Sequence, residues 1–218
     1  MNKTVYFLID CSGSMKDARA DAVNTAMEKV VDEVLPEIRA QRSADTNISF
    51  QVLGFSDAHK DKVFVIVPRT DLEDFTSWDN IQNDVFSGGT PTGAAIKAVM
   101  EDIEGGLNGD IDVQAAAPAI ILISDGLPNG VDPTYEEALQ YAVKNGPYGE
   151  HTAYRRALKV AIGMNVDAAG RESLMKFGHL SAKMEGISAY YDCTDEYVDQ
   201  FVEILKSVTL NLSVDKKD

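Results

Sequence analysis

Cysteine is nearly absent from this chain. Only Cys11 and Cys193 occur in 218 residues, and two such distant thiols build no disulfide framework. Histidine is scarce as well. His59, His151 and His179 stand singly among polar neighbours, without the paired spacing of a zinc site. No apolar run approaches the roughly 20 residues that a membrane-spanning helix needs. Basic residues are outnumbered, 20 Lys and Arg against 35 Asp and Glu, for a formal net charge of −15. Nucleic-acid backbones and anionic membranes would repel such a surface, which argues against nonspecific binding to either. Repeats and low-complexity segments are missing too. The opening Met1-Asn-Lys-Thr4 leads straight into an apolar run and does not resemble a secretory signal. The expected location is therefore cytoplasmic, unless a leader has been removed.

What is present is an ordinary globular composition, 44% hydrophobic and 25% charged. The length suits one α/β domain, expected over residues 1–213, with 214–218 a frayed tail. Apolar runs alternate with helical patterns. Residues 5–9, 119–123 and 158–162 read as strands buried on both faces of a parallel sheet. Between residues 17 and 41, Val23, Met27, Val30, Val34 and Ile38 recur at the spacing of one buried helix face, and Pro36 predicts a kink or early stop. Residues 47–55 alternate as a half-buried strand. A second short strand over 62–67, stopped by Pro68, pairs with it as an antiparallel edge. Helices are predicted over 92–103, over 133–143 with Pro133 in its first turn, and over 168–177. Residues 104–117 read as a loop and 186–191 as a last strand. Tyr197, Phe201, Leu205 and Val208 form the buried stripe of a final helix. The predicted fold is α/β and doubly wound, a mostly parallel sheet with one antiparallel edge strand and helices on both faces.

Three loops carry the chemistry. The first buried run ends Asp10-Cys-Ser12-Gly-Ser14, a carboxylate followed by two hydroxyls at alternate positions. In open α/β sheets ligands bind beyond the carboxyl ends of the strands, where these oxygens fall. Ser87-Gly-Gly-Thr90-Pro-Thr92-Gly is a Gly-rich loop opening a helix. The run 119–124 ends in Ser-Asp125-Gly. One strand-end Asp is ordinarily a cap or turn residue, and one such Ser ordinarily a helix cap. Capping does not account for oxygen donors on three separate loops. Hard oxygens suit Mg²⁺, which takes about six ligands and keeps several waters, with Mn²⁺ or Ca²⁺ as alternative occupants.

In these three motifs the chain resembles the von Willebrand factor A (VWA) domain family, over nearly its whole length. The metal-ion-dependent adhesion site (MIDAS) of that family reads Asp-x-Ser-x-Ser, then a distant Thr, then a distant Asp. The resemblance implies Ser12, Ser14 and Thr90 as direct ligands, with Asp10 and Asp125 acting through water. Thr92 is the other threonine candidate, better suited to the first turn of the helix that follows. The wording Tyr-Phe-Leu-Ile-Asp-Cys-Ser-Gly-Ser-Met looks most like the bacterial TerY-like, tellurite-resistance-associated branch. Those proteins resemble parts of stress modules that also hold a protein kinase and a phosphatase, which suggests the class of partner.

Hydroxyl ligands leave much of a cation's charge uncompensated, so a metal held this way seeks one more anionic oxygen. An Asp or Glu of a protein partner can supply it. Catalysis would need a general base or nucleophile nearby, yet no histidine lies in the three motifs and no Gly-x-Ser-x-Gly elbow occurs. The expected function is metal-dependent protein binding rather than enzymology. The rival is a phosphatase of the haloacid dehalogenase type with Asp10 as nucleophile. That family carries a second Asp as general acid two residues on, where this chain has Ser12, and a serine does not shuttle that proton at neutral pH.

Overall fold

The first apolar run folds as β1 (Asn2–Asp10), whose last six residues are buried. The computed structural model describes residues 2–105, 117–130, 133–149, 151–180, 188–193 and 198–213. Five further strands join β1: β2 (Asn47–Phe55), β3 (Val63–Asp71), β4 (Ala119–Ser124), β5 (Leu158–Met164) and β6 (Tyr190–Cys193). They lie in the order β3-β2-β1-β4-β5-β6. All neighbours are parallel except β2 and β3, which pair antiparallel. Strand order reverses between β1 and β4, so the crevice at their carboxyl ends is the topological switch point where α/β folds bind ligands.

Helices cover both faces. Val5, Phe7 and Ile9 of β1 face α1 (Ala18–Lys29), α2 (Leu35–Gln41) and α7 (Val198–Ser213), where Val23, Met27, Ile38, Phe201 and Leu205 close one core. Tyr6 and Leu8 point the other way, toward α3 (Thr92–Gly105), α4 (Tyr135–Leu139), α5 (Thr152–Arg156) and α6 (Ala168–His179). Alternation along one strand thus assigns its side chains to two cores. Among the described residues no helix is long and apolar enough to cross a membrane.

Several boundaries differ from the sequence reading, each for a physical reason. Pro36 does not end the long first helix. A π turn over Val30–Val34 precedes it, and Leu35 N–H donates to the Val30 carbonyl five residues back. The helix thereby passes the proline with Val30, Val34 and Ile38 all buried. Pro68 does not stop β3, which runs to Asp71. Because β3 is the outermost strand, a missing N–H costs no ladder bond there, and register shifts opposite Val52 absorb the irregularity. The helix expected from Pro133 starts only at Tyr135, because Thr134 caps it in a reciprocal capping box with Glu137. It continues as a 3₁₀ turn over Gln140–Ala142. The short α5 was not anticipated. Tyr154, fully buried, holds it, and its backbone N–H donates to the Glu104 carboxylate at 2.8 Å. Most of the loop expected over 104–117, the expected start of the last strand at Gly186, Tyr197 and the tail 214–218 lie outside the described residues.

Candidate functional site

β1 and β4 end side by side, and their last residues are already linked. Asp10 is wholly buried. Its carboxylate accepts the Ser12 N–H at 2.9 Å on one oxygen and the Ser124 hydroxyl at 2.6 Å on the other. Both donors are neutral. Burial pushes the Asp10 carboxyl up to about 6, against the opposing pull of these hydrogen bonds. A nearby cation would reverse that shift. The carboxylate therefore shapes the loop after β1 by fixing the Ser12 amide while its own charge stays poorly compensated.

The next residues form a 3₁₀ turn over Gly13–Met15, which brings the two serine hydroxyls within 3.1 Å of each other. Ser14 then donates to Asp125 at 2.9 Å, across 111 residues of sequence. Asp10, Ser12, Ser14 and Asp125 thus meet at one point, with Asp10 reaching it through Ser12. Their donor set is all hard oxygen. Among the described residues no group of three or more His, Cys, Asp or Glu could hold a metal, so a cation here would depend on the hydroxyls.

The Gly-rich loop is docked to the same place by its backbone. Gly13 N–H donates to the Gly88 carbonyl and Ser87 N–H to the Cys11 carbonyl, both at 2.9 Å. Gly88 has φ +75°, and a Cβ there would lie 2.7 Å from the Ala58 amide nitrogen, so only glycine fits this approach. Thr90, 6% exposed, sits in the loop with both backbone groups held by one residue. Its N–H donates to Asn129 Oδ1 at 2.7 Å, and its carbonyl accepts the Asn129 N–H at 3.0 Å. Among the described residues, the hydrogen bonds to Thr90 end on its backbone, which leaves the hydroxyl uncommitted. Thr92 is the first residue of α3 and is buried, in keeping with the helical role expected of it.

Four contributors escaped the sequence reading. Ser124 holds Asp10, and Asn129 clasps Thr90. Asp57, from the loop after β2, accepts the Gly89 N–H at 2.5 Å. Arg19, near the start of α1, places one guanidinium nitrogen 2.6 Å from the Ser14 carbonyl and 2.6 Å from Asp125. Ser124 and Asn129 flank the Ser-Asp-Gly motif and could have been suspected. Arg19 carried no local signal, because its partner is 106 residues away. Cys11, beside the site, is buried, and burial pushes its thiol well above the usual range, which disfavours the reactive thiolate.

No curated protein matches the sequence, but solved structures match the fold. The pilus adhesin SpaC from Lactobacillus rhamnosus GG superimposes with a TM-score of 0.65 at 14% identity, over 97% of this chain and 31% of its own. The vWF domain of the type V pili tip protein Mfa5 from Porphyromonas gingivalis gives a TM-score of 0.60 at 14% identity, covering 100% of this chain and 98% of that one. Proximal thread matrix protein 1 of the mussel byssus, in a structure with a zinc-occupied MIDAS motif, gives 0.58 at 16% identity over 97% of this chain. This chain spans about a third of SpaC and 48% of the byssus protein. At such identities the likeness speaks for the fold. The sequence itself goes further: it matches the von Willebrand factor type A domain over residues 4–162, and the chain belongs to that family.

Proposed function

We propose that this protein is a metal-dependent protein-binding module, in which a divalent cation at the end of β1 and β4 captures an Asp or Glu of a partner. The observation that carries this reading is the meeting of Ser12, Ser14 and Asp125 above a buried Asp10 that has only neutral donors. Ser12, Ser14 and Thr90 would contact the cation; Asp10 and Asp125 would act through water. When bound, the cation supplies one electrophilic position for an anionic oxygen. The residues do the rest. The Ser12 amide is fixed by Asp10, the Ser14 hydroxyl is oriented by Asp125, and Asn129 holds the Thr90 backbone. Mg²⁺ fits the hard donor set best, with Mn²⁺ and Ca²⁺ as substitutes. Zinc in the MIDAS motif of the byssus protein supports a divalent cation without choosing among them.

Finer placement rests on the wording of the first motif. It supports a TerY-like member working in the cytoplasm beside a kinase or phosphatase of a stress module. Two buried, unlinked cysteines accord with a reducing compartment.

A phosphatase with Asp10 as nucleophile fits the geometry less well. Both Asp10 oxygens accept hydrogen bonds, and the side chain has no exposed surface from which to attack a phosphorus. Titrating the protein with Mn²⁺ by calorimetry tests the binding reading. One weak site is expected, lost in Asp10→Ala while the circular dichroism spectrum is kept. No uptake at millimolar Mn²⁺ would sink it. A generic phosphatase substrate with Mg²⁺ should show no turnover above background; activity that disappears in Asp10→Asn would favour the phosphatase instead.

A further inference from the structure

Arg19 is the one cation that the described structure seats directly on the site, and the bland reading makes it a helix-to-loop tether. Its geometry asks for more. One guanidinium nitrogen bridges the Ser14 carbonyl and Asp125 Oδ2, and the Asp125 side chain is only 2% exposed. The other Asp125 oxygen accepts the Ser14 hydroxyl. Asp125 thus accepts one neutral and one charged donor, whereas Asp10 has neutral donors alone. A tether could have gone to any carbonyl. This one neutralises one of the two carboxylates of the motif.

The charges then decide what each ligand meets. Counting the two motif aspartates and the guanidinium, the set carries one negative charge, becomes singly positive on taking a divalent cation, and neutral when a partner carboxylate is added. Asp57, beside the Gly-rich loop, adds its negative charge to all three states alike. Without Arg19 the same set would start doubly negative and become neutral on taking the metal. A carboxylate would then meet no net positive charge and would bind more weakly. At a partly buried site these differences act through a low effective dielectric and are felt strongly.

We propose that Arg19 is a built-in counter-cation that weakens metal binding in the free protein and strengthens capture of a partner's carboxylate by the metal-loaded one. The attraction between metal and carboxylate couples the two binding events, and Arg19 sets the balance between them, so that more of the metal's hold depends on an acidic partner. This inference rests on the metal-bridge reading above and adds the residue that balances its two halves.

The test compares the wild type with the neutral variants R19Q and R19M and with the charge-keeping R19K. Each is titrated with Mn²⁺ alone, followed by electron paramagnetic resonance of the free ion. Acetate is then titrated into the Mn²⁺-loaded protein, followed by water relaxivity. The neutral variants should bind Mn²⁺ roughly tenfold more tightly and acetate several-fold more weakly, since one unit charge has been removed beside the site. R19K should follow the wild type on both counts. Equal Mn²⁺ affinity in the wild type and a folded neutral variant would end the role of Arg19 while leaving the metal site standing. No Mn²⁺ uptake by any of the four proteins would end both. R19K behaving like R19Q would show that shape rather than charge matters. Failure of both neutral variants to fold would assign Arg19 to structure, and would overturn the proposal equally.

Discussion

Two carboxylates are buried against the sheet, one toward each end, and they are treated differently. Asp102, on the last turns of α3, lies at the end away from the candidate site. Arg69 of β3 sits 2.5 Å from it, and the Tyr6 hydroxyl of β1 donates to the same oxygen at 2.7 Å. Arg69 also reaches the Tyr6 oxygen at 2.7 Å and stacks over its ring. A helix and two strands are tied by one cluster whose cation is covalently part of the chain. Asp10, at the other end, receives only an amide and a hydroxyl. At Asp102 the cation is built into the chain, although the second carboxylate oxygen is buried without a hydrogen-bond partner. At Asp10 both oxygens accept from neutral groups, so on the proposed reading the compensating cation would come from solution. That contrast separates the end that ties the fold from the candidate binding end.

The largest effect that would break the comparison is structural. Asp102→Ala strands the Tyr6 hydroxyl and part of Arg69, and should lower stability by about 3 kcal/mol. That is the low end of the range for buried pairs, because the Arg69 side chain keeps 34% of its surface in solvent. Urea unfolding reads it, and Mn²⁺ affinity should not move. A variant as stable as the wild type would show that the two ends are not so different.

A second test uses pH at the same end. Lys159 of β5 is buried, donates to the Tyr154 and Ala157 carbonyls at 2.7 and 3.1 Å, and lies 4.4 Å from the Tyr154 ring centre. Burial still outweighs these attractions and lowers its ammonium to about 7. The unfolded chain keeps its proton to about 10.4. Between those values the unfolded state binds a proton that the folded state has shed, so stability rises with pH. From pH 7 to pH 9 the gain should be about 2 kcal/mol, and Lys159→Met should flatten it. A wild-type midpoint that falls over this window would contradict the assignment.

Substitutions at the site should do the reverse, moving binding and sparing stability. Ser14→Ala removes one donor and the hydroxyl bond to Asp125, and should weaken Mn²⁺ binding roughly tenfold, ~1.4 kcal/mol, with an unfolding midpoint near the wild type. Unchanged affinity would remove Ser14 from the ligand set. The smallest effect is expected at Asn129→Ala, which opens the clasp on Thr90 and should lower stability by about 1 kcal/mol. Faster hydrogen exchange confined to residues 87–92 is the reading that distinguishes local loosening from global unfolding.

Much of this was legible in the residues, and the gaps have physical causes. The bounds of β2 match the alternating stretch, although the half-buried strand it predicted is a buried one, with Gln51 of the polar face 4% exposed. The middles of β1, β4 and β5 follow from their apolar runs, while β1 and β5 extend beyond them. Two of the site motifs are legible because they lie at the ends of β1 and β4, where the chain must turn and its polar groups converge. The Gly-rich loop follows no strand directly and is legible from its glycines and the helix it opens. Pro68 misled, because sequence does not say that a strand is an edge. Pro133 misled although Thr134 and Glu137 spelled out a capping box one residue later. Arg19 could not be foreseen. Its pairing with Asp125 depends on how α1 leaves the sheet, a fact of tertiary structure with no local periodicity.

The outer strand has a bearing on how copies of the molecule meet. β3 leaves a row of backbone groups open on one side, the arrangement that invites another strand to add on. Pro68 removes a donor from that strand, the register slips opposite Val52, and Arg69 and Asp71 bring charge to its last turn of sequence. At the opposite border of the described sheet, β6 spans four residues, Tyr190–Cys193. Both described borders thus carry features that discourage strand addition. Assemblies of this chain would therefore join through loops and helix faces, and concentrating the protein should not seed fibrils from its native state.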